Sequence, residues 1–269
     1  MSSLVISQIE TLGTVDGPGL RTVFFLQGCV MSCLYCHNPE TQDRAPLKED
    51  VPQTESYAKS GLLDRKRISL DEILEIAARY KNYYDEDGGL TFSGGDPLLQ
   101  TPALLEIFPA LKEAGYSICL DTAGVGATPK QLRQLLPYID HILLDLKAGN
   151  DELHRKITGL PLSAVKPFHE AVAGDAFQGQ ITLRHVAVPG LTDDPALLPQ
   201  LVELARPFAD KVMTMEILPY HVMGENKYEE LGLEYGLEGV PAMDVHAARD
   251  LQNEWRRLWE ETVEMLQIA

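Results

Sequence analysis

A chain of 269 residues with 40 acidic and 23 basic side chains, for a formal net charge of −17 at pH 7, can bury one substantial core, and α/β barrels of about this size are commonly single domains. That acidity leaves no basic surface to neutralise a phosphate backbone, so a nucleic-acid partner is not expected. The opening MSSLVISQIE has no cationic start before an apolar stretch, and runs such as TVFFL and HILL fall far short of the roughly 20 apolar residues of a membrane span; a cytoplasmic protein without membrane association is expected.

In chain order, residues 1–19 form an N-terminal segment, and the first strand-like apolar run covers 20–26. Residues 43–66 carry little periodicity and read as an irregular connection. A helix over 70–84 starts at Ser69, a capping residue followed by Asp71 and Glu72, whose charges suit a helix N-terminus. Strand-like runs follow at 90–92, 116–120, 139–144, 181–188 and 212–218, separated by helical patterns at 102–114, 129–136, 164–173 and 195–208. There is no internal repeat and no low-complexity tract. Alternation of this kind implies a parallel sheet, and six repeats predict an incomplete α/β barrel, a partial (β/α)6 barrel over about 20–220. Residues 221–269 are a C-terminal extension whose 243–266 stretch reads as one long amphipathic helix packed outside the sheet. The whole chain, 1–269, is read as a single domain.

The open face of such a barrel lies at the C-terminal ends of its strands. Cys29 follows the first strand, Gly94, Gly95 and Asp96 the second, Asp121 and Thr122 the third, Asp145 and Lys147 the fourth, and His221 the sixth. Asp145 and Lys147, two apart, share a face with Leu143. Taken singly, an Asp at a strand end is a turn or cap residue and a glycine pair is a turn. Their joint position on one face predicts one pocket.

Three of the four cysteines crowd into CVMSCLYCHN as Cys29, Cys33 and Cys36. In a reducing compartment, such spacing points to metal or redox chemistry. Three thiolates can hold three irons of a [4Fe-4S] cluster and leave the fourth open to substrate. Zinc is a rival, since His37 would complete a Cys3His set, but adjacent Cys36 and His37 are poorly spaced for one tetrahedral ion. Cys33 to His37 also matches the C-x-x-C-H haem attachment pattern, which implies export. An ordinary four-ligand ferredoxin would need Cys119, which sits in an apolar strand and reads as core.

In order along the chain, GTVDGPGLR, the cysteine loop with HNPET, SGGDPLLQ, LDTAG, LLDLK, RHVAVPG and LPYH resemble the radical S-adenosylmethionine (SAM) enzymes that activate glycyl-radical enzymes, over nearly the whole length. The resemblance implies a radical SAM barrel in which a [4Fe-4S] cluster on Cys29, Cys33 and Cys36 cleaves SAM reductively to a 5'-deoxyadenosyl radical. That radical then takes hydrogen from a glycine of a partner enzyme. By matching position it places Tyr35 and His37 on the adenine side, Gly94 and Gly95 against the methionine moiety, and Lys147, His221 and Arg184 on SAM. Asp121, Thr122 and Asp145 resemble a monovalent-cation site, and Asp16, the catalytic assignment, resembles the residue that steadies the incoming glycine loop of the partner.

Two departures stand out: Asp96 where these enzymes usually carry Glu, and Leu143 where Met is frequent. With no cysteine between Cys36 and Cys119, a ferredoxin-like insertion is absent. The expected partner is therefore a glycyl-radical enzyme of the pyruvate formate-lyase type, with reduced flavodoxin or ferredoxin as electron donor. A radical SAM enzyme acting on a small molecule, and a non-enzymatic iron–sulfur carrier, are the alternatives.

Overall fold

The computed structural model describes residues 3–44 and 66–268; the irregular connection expected over 43–66 falls almost wholly outside the described residues. The chain opens with β1 (Ser3–Gly13), which runs antiparallel to β2 (Arg21–Leu26) and to the short β3 (Lys66–Ser69). From β2 the sheet continues in parallel through β4 (Gly89–Gly94), β5 (Ile118–Thr122), β6 (His141–Asp145), β7 (Gln180–Ala187) and β8 (Val212–Pro219). The order is β3-β1-β2-β4-β5-β6-β7-β8, an eight-stranded sheet with β3 and β8 at its edges. The partial barrel of six parallel strands thus forms as expected. Within the N-terminal segment, residues 3–13 form a strand with partners on both sides, an element the apolar pattern did not predict.

Helices α1 (Leu70–Tyr80), α2 (Thr101–Glu113), α3 (Pro129–Leu135), α4 (Asp151–Thr158), α5 (Lys166–Ala173), α6 (Leu198–Ala205), α7 (Glu225–Leu231) and α8 (Val245–Ile268) clothe the sheet and its ends. The expected start of α1 is a full capping box, with the Ser69 hydroxyl accepting from the Glu72 amide and the Glu72 carboxylate accepting from the Ser69 amide.

Strand alternation sorts side chains into two populations. Phe24, Leu90, Phe92, Leu120, Ile142, Leu144, Ile181 and Leu183 are fully buried in the main core. Phe24 stacks on Phe92 at 5.4 Å and Phe92 meets Phe108 of α2 at 4.8 Å, burial worth on the order of 2–3 kcal/mol per ring. Among the intervening residues, Ser93, Asp121, Asp145 and Arg184 bond to one another across a polar lumen. At the β8 edge, Gln252 of α8 accepts from Ile217 N at 2.5 Å and donates to Met215 O at 2.7 Å. One side chain thereby completes the backbone bonding that a neighbouring strand would otherwise supply.

Candidate active site

A cavity of about 260 Å³ opens at the C-terminal ends of the parallel strands, and Cys29, Cys33 and Cys36 all line it. The three are free thiols. Their loop is held by backbone from several sides. Gly28 N donates to Thr41 O at 2.7 Å, and Ser32 N and Leu34 N donate to Thr158 O and Ile157 O, each at 2.9 Å. Those last two acceptors are carbonyls at the C-terminus of α4, which a helix cannot satisfy by itself. Across the loop, Tyr228 of α7 donates its hydroxyl to Cys36 O at 3.2 Å. Lys227 donates to Asn38 Oδ1 at 2.7 Å and to Glu40 Oε1 at 2.8 Å. Nothing in the sequence near the cysteines announced these clasps.

Burial pushes all three thiols upward, Cys33 to about 12, so iron loading must release protons. Among the described residues, no three His, Cys, Asp or Glu side chains converge on one point as a single ion requires. Three thiols spread around a cavity suit a cluster that distributes its irons. Cys119 is fully buried in β5, away from the cavity lining. A Cβ on Gly17 would come within 2.9 Å of its sulfur. It is core, as its strand setting predicts.

Tyr35, His37, Gly94, Gly95, Asp121, Thr122, Asp145, Lys147 and His221 line the same cavity. His37 Nδ1 and His221 Nε2 lie 3.4 Å apart, their rings edge to face. Partial burial, then the charge of Lys227, lowers the His37 pKa. Lys147 Nζ sits 5.6 Å from the centre of the Tyr35 ring, and the Tyr35 hydroxyl is buried without a hydrogen-bond partner. An unmet polar atom on a cavity wall fits a polar ligand. The two glycines have a packing reason beyond the expected one: a Cβ on Gly94 would fall 2.3 Å from Leu26 N and O, and one on Gly95 would fall 2.2 Å from Gly28 O. They let β4 press against the end of β2 and the root of the cysteine loop.

Below the cavity, Arg184 pairs with Asp121 and, through Nε at 3.1 Å, with Asp145. Lys147 donates to Asp145 at 2.7 Å, and Ser93 donates to Asp121 at 2.6 Å. Burial works against every charge here. At Asp145, Lys147 and Arg184 overcome it and hold the carboxyl below its ordinary range; at Asp121, burial wins and the carboxyl is raised. Lys147 is raised well above its ordinary value despite burial, chiefly by Asp145. Arg184 is not among the residues lining the cavity; with Lys147 it pairs the two carboxylates from beneath.

Asp96, 1% exposed, accepts from Leu98 N and Ala123 N at 3.1 Å each and from the Thr122 hydroxyl at 2.8 Å. It caps the turn after β4 and clasps the end of β5, so the shorter acid has a structural use and does not face the cavity. Burial raises it to about 7. A raised acid binds its proton more tightly when folded, so stability falls as pH rises from the ordinary carboxylate range to about 7. Asp96→Asn should flatten that slope. Wild type should lose about 2 kcal/mol relative to the variant between about pH 5.5 and 8 in urea titrations; a pH-independent gap would show that Asp96 folds ionised.

Asp16 lies in the loop between β1 and β2, half-buried and outside the cavity lining, with its carbonyl accepting from Thr91 at 2.7 Å. Burial, then Asp121 and Glu10, raise its pKa.

The model of the Radical SAM superfamily matches residues 23–198, and the chain belongs to that superfamily, whose members use a [4Fe-4S] cluster and SAM. Within it, the chain is a homologue of the pyruvate formate-lyase-activating enzymes. It is 38% identical over 250 residues to the one from Staphylococcus aureus (strain USA300), covering 91% of this chain and 92% of that protein. Two solved structures show the shared fold. A radical SAM methyltransferase from Sphaerobacter thermophilus has a TM-score of 0.56 at 16% identity, covering 95% of this chain and 71% of that one. A domain of a pyruvate-formate lyase-activating enzyme from Bacteroides vulgatus ATCC 8482 has a TM-score of 0.51 at 17% identity, covering 64% and 94%.

Proposed function

We propose that this chain activates a pyruvate formate-lyase by abstracting hydrogen from one of its glycines. The observation that carries the reading is one cavity bounded by three thiols of a single loop, the Gly94–Gly95 backbone and Lys147. Cys29, Cys33 and Cys36 would hold the cluster, leaving one iron free for SAM. Bound together, the two cofactors supply the radical chemistry that removes hydrogen from a glycine Cα.

The chain's own residues bind, orient and exclude water. Tyr35, His37 and His221 would flank the adenine, with the unpaired Tyr35 hydroxyl gaining a partner. Gly94 and Gly95 would admit the methionine end, with Lys147 near its carboxylate. Asp121, Asp145 and Thr122, with Arg184 behind them, would fix Lys147 and the local charge. Asp16 would meet the partner's glycine loop. Glycine suits as target because a segment without a Cβ can thread a narrow opening. A reduced flavodoxin or ferredoxin of the cytoplasm would supply the electron.

The test is anaerobic loading with iron and sulfide, reduction, and addition of SAM and a purified pyruvate formate-lyase. A glycyl-radical doublet in electron paramagnetic resonance, with matching 5'-deoxyadenosine, is expected. 5'-Deoxyadenosine without a protein radical would point to a small-molecule substrate. Neither product would leave an electron carrier.

A further inference from the structure

Arg21, at the start of β2, is fully buried, and among the described residues no carboxylate pairs with it. Its five N–H groups go to uncharged oxygens: Thr91 Oγ1 at 2.7 Å, Leu90 O at 2.8 Å, Pro18 O and Asp87 O at 2.9 Å, and the Ser117 carbonyl and hydroxyl at 3.2 and 3.4 Å. A buried cation without a counter-charge is costly, and apolar side chains would close the base of the lumen at less expense. Its use is found in where two of these bonds lead.

Pro18 O is bonded directly. Thr91, having accepted from Arg21 Nε, has one proton to give and donates it to Asp16 O at 2.7 Å. The carbonyls on either side of Gly17 are therefore both anchored to one guanidinium. Gly17 itself, at φ 123°, is pressed so close that a Cβ would stand 2.9 Å from Arg21 Cδ. The Asp16 carboxylate is treated differently: it is half-buried, and burial, then Asp121 and Glu10, oppose its charge while Arg184 favours it. A backbone anchored at two points and an acidic side chain held where its own fold opposes its charge describe a group kept in place for a ligand.

We infer that Arg21 and Thr91 are positioning residues, whose hydrogen-bond chain to Asp16 O and Pro18 O fixes the loop of residues 14–20 so that the Asp16 carboxylate meets the glycine-bearing segment of the partner protein. The partner half of this inference rests on the proposed activity. The loop half does not.

Thr91→Val keeps the shape and strand preference of the side chain but breaks the relay, leaving the other Arg21 bonds in place. Thr91→Ser keeps the hydroxyl. Thr91→Cys, of similar volume with a weak S–H donor, runs beside them should the valine variant not fold. Amide hydrogen exchange over residues 14–20 is expected to quicken about tenfold in Thr91→Val, less in Thr91→Cys, and by less than about twofold in Thr91→Ser. With pyruvate formate-lyase as substrate, KM for the partner should rise about tenfold in Thr91→Val and recover in Thr91→Ser, while partner-free 5'-deoxyadenosine formation stays within about twofold. Unchanged exchange in a folded Thr91→Val would overturn the anchor. Unchanged partner KM with faster exchange, or equal loss of partner-free turnover, would overturn the positioning role alone. A wild-type enzyme that forms no radical on pyruvate formate-lyase would instead reject the activity, and with it the partner half, while the exchange measurement still decides the anchor.

Discussion

Alanine at Cys29, Cys33 or Cys36 is expected to lower both iron–sulfur content and SAM cleavage by more than about 100-fold, beyond what loss of an outer-sphere contact does at metal sites. Alanine at Cys119 should leave both near wild type and cost only about 1 kcal/mol of stability. The contrast follows from placement: three thiols line the cavity, whereas the fourth is sealed in β5 beside Gly17. The cysteine loop is fixed by backbone bonds to Thr41, Ile157 and Thr158, so each alanine variant should fold, and its loss reports a missing ligand. Iron and acid-labile sulfide per chain, far-ultraviolet circular dichroism and 5'-deoxyadenosine yield make the comparison. Cys119→Ala losing its cluster as fully as the others would end the three-ligand assignment.

Arg184→Met is expected to destabilise the fold by about 3–5 kcal/mol at neutral pH, the range seen when one member of a buried ion pair is removed. Asp121 and Asp145, 14% and 18% exposed, would lose the guanidinium they share. Asp121 would lose its one direct ion pair among the described residues and keep Lys147 only at longer range, whereas Asp145 would keep its bond to Lys147. In wild type the depressed Asp145 contributes stability that is present above the ordinary carboxylate range and lost as pH falls through its lowered pKa. Without Arg184 both carboxyls rise, so the variant binds extra protons in its native state. Its deficit is then largest at neutral pH and narrows toward pH 4–5. Adding Asp121→Asn should restore part of the loss. Urea midpoints of the single and double variants across pH decide it, and a deficit that does not change with pH would mean packing, not charge, is what Arg184 provides.

The parallel strands were legible because each carries a run of apolar, largely β-branched or aromatic residues, and their C-terminal ends then located the pocket. Phe24 and Leu26, or Ile142 and Leu144, announce themselves in this way. β1 did not, because only Leu4, Val5 and Ile6 are buried in succession before the strand turns alternately outward, and its partner β3 has too few residues to show a period. α4 buries His154, Ile157 and Thr158, a stripe two-thirds polar that does not read as a core-facing helix, yet its end cradles the cysteine loop. α7 buries Tyr228 and Leu231, too few to mark a pattern. Asp96 was visible as a departure, but its bonds to Thr122 and Ala123 join positions 26 and 27 residues away. Arg184 was visible as a charge in a strand; that it serves two carboxylates from neighbouring strands is a property of register, with Asp145 directly opposite it in β6.

The clasp of α7 on the cysteine loop also fixes an order of events during synthesis. Cys36 is separated by 192 residues from Tyr228, and Asn38 by 189 from Lys227. At ordinary translation speeds the cysteines therefore leave the ribosome about 10–40 s before the residues that hold their loop. α4 arrives in between, so the loop is first supported from one side only. Throughout that interval three thiols near the start of the chain stand open to oxygen, to stray metals and to one another. The finished wall around them forms only as the last quarter of the polypeptide is made, and a chain stalled or cut before α7 would carry the ligands of the site without the means to keep them arranged.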